Sequence, residues 1–388
     1  MSELLYFDHA ASAPRRDEVL EAMAPWQHGV VGNPSGSHRP AREARRAIEE
    51  ARDVVAAFVG AKPAEVIFTA GGTESCQLAI EGTLKAHRRS HARSEIIVSR
   101  VEHHAILDAA AMLASDYDDV VTHLLDVDAS GVVDLDQLQE LVNENTAIVS
   151  VMTVNNETGV RQPLDGVNVM TKTIVASDAL THTDAVAGAA WLNLAIVTAS
   201  TDLISLCAHK LGGPVNSGAL IVRHDATLEA IMPGGGQERG RRGGTVDVAA
   251  AVGLAKALEL TRAELTDVID RVLDLQLKLL SAVSLLPGAQ VTAPAAAKVP
   301  GIVHVTFENV ASDELIFLLD QEGVAASAAS SCSSGAQQTS HVLEAMGMDH
   351  ERAKGSLRLS MGAETTEDDV DRLIEILART IHRLRAGG

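Results

Sequence analysis

Ser205-Leu206-Cys207-Ala208-His209-Lys210 ends an apolar, strand-like run on a lysine, and the Gly/Pro-rich turn Leu211-Gly212-Gly213-Pro214 follows at once. Lysine is costly to bury, so one held at the end of a core strand either carries its ammonium out to solvent or serves as a nucleophilic amine. Two other segments favour the second role. His182-Thr183-Asp184 closes a short apolar strand on an aspartate, the group needed to hold a pyridinium proton, and Thr69-Ala70-Gly71-Gly72-Thr73-Glu74-Ser75 reads as a strand-to-helix phosphate cradle. Lysine, aspartate and phosphate loop in one chain suggest a site for pyridoxal phosphate.

Outward from that turn, between Glu65 and Arg223, short β-rich runs alternate with helical periods: residues 66–68, 96–98, 120–125, 147–154, 179–183, 203–207 and 219–222. Strand–helix alternation predicts a largely parallel sheet covered on both faces. The ligand crevice of such a sheet lies beyond the carboxyl ends of its strands, where residues 69–73, Asn155, Asp184 and Lys210 all fall. Ile48, Ala51, Val55 and Phe58 recur at helical spacing and predict a helix packed on the sheet. A long helical stretch from Thr245 towards Leu285 is expected to bridge to a second domain with a strand over 302–307 and a helix over 312–321. The Ala/Pro stretch 291–300 reads as a surface loop, and a last helix starts from the cap Thr366-Glu367-Asp368-Asp369. The fold class is therefore α/β: a large cofactor-binding domain over 13–260 with a mostly parallel sheet, and a smaller α/β domain over 261–388 joined by residues 1–12.

With 388 residues, 46% of them hydrophobic, the chain can bury a large core. Its formal net charge of −20 argues against general nucleic-acid binding or attachment to an anionic membrane. Four arginines between Arg39 and Arg46 are interleaved with glutamates and read as a solvated helix face. Arg239, Arg241 and Arg242 sit in a Gly-rich loop suited to an anion or a partner. The N-terminus has no basic region followed by an apolar core, and no run of about 18 apolar residues occurs, so the expected location is the cytoplasm. Cys76, Cys207 and Cys332 are widely spaced and odd in number, which leaves at least one thiol free and indicates no metal site.

Twelve short segments, in order, carry a resemblance. They are Phe7-Asp8-His9-Ala10-Ala11, Gly32-Asn33-Pro34-Ser35, Gly71-Gly72-Thr73-Glu74-Ser75, Glu102-His103-His104, Asn155-Asn156-Glu157-Thr158-Gly159, His182-Thr183-Asp184, Ala208-His209-Lys210, Gly234-Gly235-Gly236-Gln237-Glu238-Arg239, Gly244-Thr245, Ser331-Cys332-Ser333-Ser334-Gly335, Ser340-His341-Val342-Leu343 and Arg358-Leu359-Ser360. The chain resembles, over nearly its whole length, the cysteine desulfurases of the iron–sulfur-cluster type, members of the class V aminotransferase family of fold-type-I pyridoxal-phosphate enzymes.

The resemblance implies conversion of L-cysteine to L-alanine, a persulfide on Cys332, and delivery of sulfur to an acceptor protein. Lys210 would bind the cofactor covalently and move the substrate's α-proton. Asp184 would keep the pyridine nitrogen protonated. Gly72, Thr73, Cys207 and His209 correspond to the phosphate region, and Thr245 to a phosphate contact reaching across from a second subunit, which implies a homodimer. His103 would stack on the cofactor ring and assist proton traffic; Asn155 and Arg358 would steer the substrate, a guanidinium fork suiting an α-carboxylate. Paired His103-His104 also admits a metal site or a core histidine. Cys332 lies among small residues, 325–334, that build neither core nor strong helix and read as a mobile loop, as a thiol delivering sulfur requires.

The chain departs from the family pattern at two cofactor contacts. Ala187 stands where a glutamine is usual and Cys207 where a serine is usual; Cys76-Gln77 replaces Asp-Asn, and Pro214-Val215-Asn216 replaces Pro-Lys-Gly. Other readings are a cysteine or selenocysteine lyase without persulfide transfer, and a degenerate, cofactor-poor paralogue that binds sulfur-acceptor proteins. A dinucleotide oxidoreductase is disfavoured because no G-x-G-x-x-G follows a strand.

Overall fold

The structure is a computed structural model, and it describes residues 4–89, 93–164, 179–223, 226–328 and 339–387. Its described strands are β1 (Leu5–Tyr6), β2 (Val66–Thr69), β3 (Glu95–Ser99), β4 (Val121–Leu125), β5 (Thr146–Ser150), β6 (Leu180–Asp184), β7 (Leu203–Cys207), β8 (Gly218–Val222), β9 (Ala289–Val291), β10 (Ile302–Phe307), β11 (Val324–Ala325) and β12 (Ser356–Ser360). Seven of them form the main sheet in the order β2-β8-β7-β6-β5-β3-β4. All its described neighbours pair parallel except β8, which runs antiparallel to both β2 and β7.

Side chains of a strand alternate between faces, and the apolar runs serve both. Ile204 and Leu206 of β7, with Phe68, Ile97, Val149 and Ile221, join one core cluster, while Leu203, Ile67, Ile96, Val98, Ile148 and Leu220 join the cluster on the other side. The helix Arg39–Val59 presents Ile48, Ala51, Val55 and Phe58 to the first cluster, as its spacing predicts, and the four arginines of its first turns are exposed. The run expected over 147–154 pairs as a strand only to Ser150. Beyond it Val151 and Thr153 still donate to the carbonyls of His182 and Asp184 at 3.1 and 2.9 Å, so the chain stays extended as it enters the turn at Asn155.

A three-stranded antiparallel sheet, β12-β10-β9, forms the second layer, and β1 pairs parallel with β11 beside it. The long helix is continuous from Val248 to Val283, so the boundary expected at residue 260 falls inside it. Its first half buries Val248, Leu254 and Leu258; further along, the Gln276 carboxamide donates to the carbonyls of Val299 and Ile302 of the second layer. The final helix, Glu367–Gly387, starts from a reciprocal cap: Thr366 N–H donates to Asp369 Oδ2 at 2.9 Å, and Asp369 N–H to Thr366 Oγ1 at 3.2 Å.

The Gly-rich arginine loop is docked on the main sheet by a buried ion pair. Both oxygens of Glu238 accept from Arg52, at 2.8 and 2.9 Å, and Oε2 also accepts the Phe68 N–H at 2.7 Å. Glu238 and Arg239 both adopt positive φ, 44° and 58°, a conformation the salt bridge and sheet contact hold in place.

Candidate active site

The carboxyl ends of the main strands and the centre of β12 converge on one cavity of about 490 Å³. Gly72, Thr73, His103, Asp184, Cys207, His209, Lys210 and Arg358, eight of the residues expected at the site, line it together. Ala187 lines it too.

The phosphate-type cradle forms where β2 ends and the helix Gly72–Arg89 begins. Gly71 has φ 139°, and a Cβ on Gly72 would come within 2.9 Å of Val186 Cγ2, so the close approach of this helix to the turn after β6 requires glycine. Thr69 Oγ1 and Ser75 Oγ bond at 2.7 Å, and Arg242 bonds Glu74 at 2.8 Å, fixing the first turn. The N–H groups of a helix's first turn have no intrahelical acceptors and favour an anion.

Lys210 is not on the strand itself. β7 ends at Cys207, and the short 3₁₀ turn His209–Leu211 carries the lysine into the cavity before Gly212, at φ 74°, reverses the chain. Asp184 closes β6; its Oδ1 accepts the Val186 N–H at 2.8 Å, and Oδ2 has no hydrogen bond among the described residues. One strand turn earlier, His182 bridges Ser150 at 2.8 Å and Ser205 at 2.9 Å, and burial drives its pKa down to about 3, so it is a neutral core residue.

His103 caps the helix His104–Asp116, with Nδ1 accepting the Ala105 N–H at 3.0 Å. The neutral ring therefore carries its proton on Nε2. Burial lowers its pKa; Asp184 opposes that effect, and Lys210 reinforces it. His104 is half-buried, beside Asp108 and edge-on to His341, and no cluster of three metal-ligating side chains exists among the described residues. His209 is held neutral, its pKa lowered to about 4 by burial and by Lys210. Cys207 is buried, and burial pushes its thiol up to about 11.

Arg358 is 2% exposed, yet its guanidinium reaches the cavity. Nη2 donates to Asp8 Oδ1 at 2.8 Å and Nη1 to the Asn156 carbonyl at 3.1 Å. Asp8 and Asn156 also line the cavity, and neither was assigned a role from the sequence. Asn155 is absent from the lining. Its Oδ1 accepts from Glu157 N, Thr158 N and Thr158 Oγ1, and its Nδ2 donates to the Val101 carbonyl, so the whole carboxamide is spent shaping the turn that presents Asn156. Thr245 is exposed and does not line this chain's cavity. Cys332 lies outside the described residues. On its N-terminal side, Ser327 lines the cavity and exchanges backbone hydrogen bonds with Arg358 at 2.7 and 3.3 Å. On the other side, Ser340 Oγ donates to Glu157 Oε2, and His341 Nε2 bonds the Glu102 carbonyl at 2.9 Å.

Glu157 has a consequence for stability. Burial pushes its carboxyl up from the ordinary 4.5 to about 7, against the downward pulls of Ser340 and Arg358. A carboxyl whose pKa rises on folding contributes stability that is whole below its unfolded pKa and lost as pH rises through the folded one. Between pH 4.5 and 7 this group is expected to remove about 3 kcal/mol of stability. Denaturant unfolding at a series of pH values should show that decline reduced in Glu157→Gln; a wild-type slope in the variant would assign the decline to other groups.

The aminotransferase class-V family model matches residues 5–373, and the chain belongs to that family. It is 40% identical to the IscS-like cysteine desulfurase of Mycobacterium tuberculosis, an alignment covering 98% of this chain and 97% of that one. It is 37% identical to the cysteine desulfurase IscS of Dictyoglomus turgidum, over 99% and 96% of the two chains. Among solved structures, a NifS-like protein superposes with a TM-score of 0.90 at 31% identity, covering 98% of this chain and all of that one. SspA in complex with cysteine gives a TM-score of 0.77 at 31% identity, over 93% and 99%. The fold is that of fold-type-I pyridoxal-phosphate transferases.

Proposed function

We propose that this chain is a pyridoxal-phosphate-dependent cysteine desulfurase, which takes sulfur from L-cysteine, leaves L-alanine, and passes the sulfur through a persulfide on Cys332 to an acceptor protein. The observation that carries the reading is the meeting of Lys210, Asp184, His103, the Gly72–Thr73 helix start and Arg358 around one cavity, in a chain similar end to end to cysteine desulfurases. The residues fit the cofactor: a helix N-terminus for its phosphate, a carboxylate oxygen for its ring nitrogen and an amine for its aldehyde. Bound there, pyridoxal phosphate supplies an electron sink for bond breaking at the α- and β-carbons of an amino acid.

The chain's own groups then divide the work. Asp184 Oδ2 would hold the proton of the ring nitrogen. Lys210 Nζ would anchor the cofactor and serve as the base for the substrate's α-proton. His103 Nε2–H faces the cavity as a proton donor, and the Arg358 fork binds the substrate carboxylate. Cys76 and Cys207 are both buried, and burial raises both thiols, Cys76 well above its usual range and Cys207 to about 11, so neither offers a thiolate at neutral pH. That leaves Cys332 as the sulfur carrier. The balance is closed: the substrate's C–S bond breaks, its sulfur bonds to the Cys332 sulfur to give the persulfide, and alanine retains the remaining atoms, with no external oxidant.

The reading includes a cytoplasmic homodimer. No described helix is long and apolar enough to cross a membrane, and exposed Thr245 is available to the cofactor phosphate of a second subunit. The direct test is incubation of the cofactor-loaded protein with L-cysteine and a thiol reductant, which should release alanine and sulfide in equal amounts. Sulfide formation with pyruvate in place of alanine would overturn the reading in favour of a lyase.

The two departures from the family pattern both face the cavity, at Ala187 and Cys207. Each lost hydrogen bond is expected to cost about 1 kcal/mol, or roughly tenfold or somewhat less in cofactor affinity. Ala187→Gln combined with Cys207→Ser should tighten pyridoxal-phosphate binding in a fluorescence titration. An unchanged dissociation constant would mean that other groups already fill those roles.

A further inference from the structure

Ser340-His341-Val342-Leu343 is one of the segments that carry the resemblance, yet nothing in the proposed chemistry uses it. Ser340 caps the short helix His341–Ala345, and neither Ser340 nor His341 lines the cavity. They hold the two turns that supply His103 and Asn156 to it. His341 Nε2 lies 2.9 Å from the Glu102 carbonyl, across 239 residues of chain, and Ser340 Oγ donates to Glu157 Oε2. The helix start is itself fixed. Ser340 Oγ accepts the Leu343 N–H at 3.3 Å, and Val342, Leu343 and Met346 pack with Val101 and Val160 in a small core of their own. Asn155 Nδ2 joins the same two turns by donating to the Val101 carbonyl at 3.0 Å. His341 thus reaches Glu102 from a base already tied to both turns.

A carbonyl oxygen only accepts, so the bond requires the proton on His341 Nε2. Burial lowers the pKa of this half-buried ring, which is therefore neutral above pH 7 and takes the Nε2–H tautomer. The carbonyl it holds belongs to the planar peptide Glu102–His103, and the tilt of that plane sets the direction in which the His103 side chain leaves the backbone. His103 is extended there, at φ −64° and ψ 148°, and its Nδ1 accepts the Ala105 N–H at 3.0 Å. The cap fixes the ring on one side and the His341 bond fixes the peptide on the other. A misplacement of about 1 Å at a reacting group can cost roughly a hundredfold in rate.

We propose that His341 is a positioning residue for His103: its Nε2–H holds the Glu102 carbonyl and so sets the backbone from which the His103 ring enters the cavity. The inference rests on His103 as the proton donor of the proposed reaction.

His341→Phe keeps a ring against His104, whose centroid lies 4.7 Å away, but has no donor. In the cofactor-loaded enzyme it is expected to lower kcat for alanine formation about tenfold per bound cofactor, with KM for L-cysteine changed less than about twofold. His341→Gln, whose amide can donate to the same carbonyl, should recover most of the loss. A kcat unchanged in His341→Phe, a loss carried by KM, or an equal loss in His341→Gln overturns the proposal. The route through His103 is read from the pair. In a His103→Asn background, where asparagine still caps the helix, the His341→Phe factor in single-turnover alanine formation should shrink below about twofold. The same tenfold factor there overturns the proposal while leaving the role of His103 standing. His103→Asn at the wild-type rate instead removes the proton donor itself, and the proposal with it. Independently of activity, ¹⁵N NMR of the histidine-labelled wild-type protein should find a proton on His341 Nε2. A bare Nε2 overturns the proposal even if no variant folds.

Discussion

Lys210→Ala is expected to abolish turnover of L-cysteine, with a loss of at least the 10²–10⁴-fold, roughly, that a positioned proton-transfer group contributes. The loss should be larger than that, because on the proposed reading the same amine also anchors the cofactor. Borohydride reduction of the wild-type protein should leave the reduced cofactor on the peptide containing Lys210, and the variant should retain none covalently. Lys354, an exposed lysine paired with Glu351, should be replaceable without effect. Reduced cofactor mapped to any other lysine would refute the assignment. The turn that carries Lys210 is closed by Gly212 at φ 74°, where a Cβ would approach Arg16 Cγ to 2.5 Å, so this reversal of the chain depends on glycine.

Cys332→Ser should separate cofactor chemistry from sulfur transfer. A cysteine thiol with its ordinary pKa of about 8.5 is only a few per cent ionised at neutral pH, but its thiolate attacks sulfur far better than a serine hydroxyl of nearly the same size. The variant is expected to bind L-cysteine and perturb the cofactor's visible spectrum, because Lys210, Asp184 and Arg358 are untouched. Alanine release should fall at least about a hundredfold, with no protein persulfide formed. Mass spectrometry of the wild-type protein after cysteine addition should find one extra sulfur on the Cys332 peptide and none on those of Cys76 or Cys207. Turnover to alanine at the wild-type rate in Cys332→Ser would make the desulfurase mechanism untenable.

Much of the main sheet was legible because its signals are local. Apolar runs of three to five residues gave β2, β3, β6, β7 and β8 to within a residue or so at their ends, and the polar groups that terminate them mark the crevice. What escaped depends on contacts between distant parts of the chain. Adjacent Asn155 and Asn156 are equivalent in composition, and only the three donors converging on Asn155 Oδ1 decide that the second of the pair faces inward. Asp8 meets Arg358 across 350 residues, a pairing with no local signature. The long helix was legible too: the stretch read as a bridge from Thr245 towards Leu285 is helical over Val248–Val283, one apolar stripe serving two layers in succession, with residue 260 inside it.

The helix Val248–Val283 also sets how the two sheets can move. At 36 residues it is about 54 Å long; near its start the Ala250 carbonyl accepts from Ser217 Oγ, just ahead of β8, and towards its other end Gln276 bonds the second layer. A rod held towards both ends resists bending, so the separation of Lys210, in the turn after β7, from Arg358 on β12 behaves as the span of a truss, not the angle of a hinge. On the proposed reading, cysteine would be gauged against that span, its amino end at Lys210 and its carboxylate at Arg358, and an amino acid whose two ends sit at another spacing would have to strain to fit the frame.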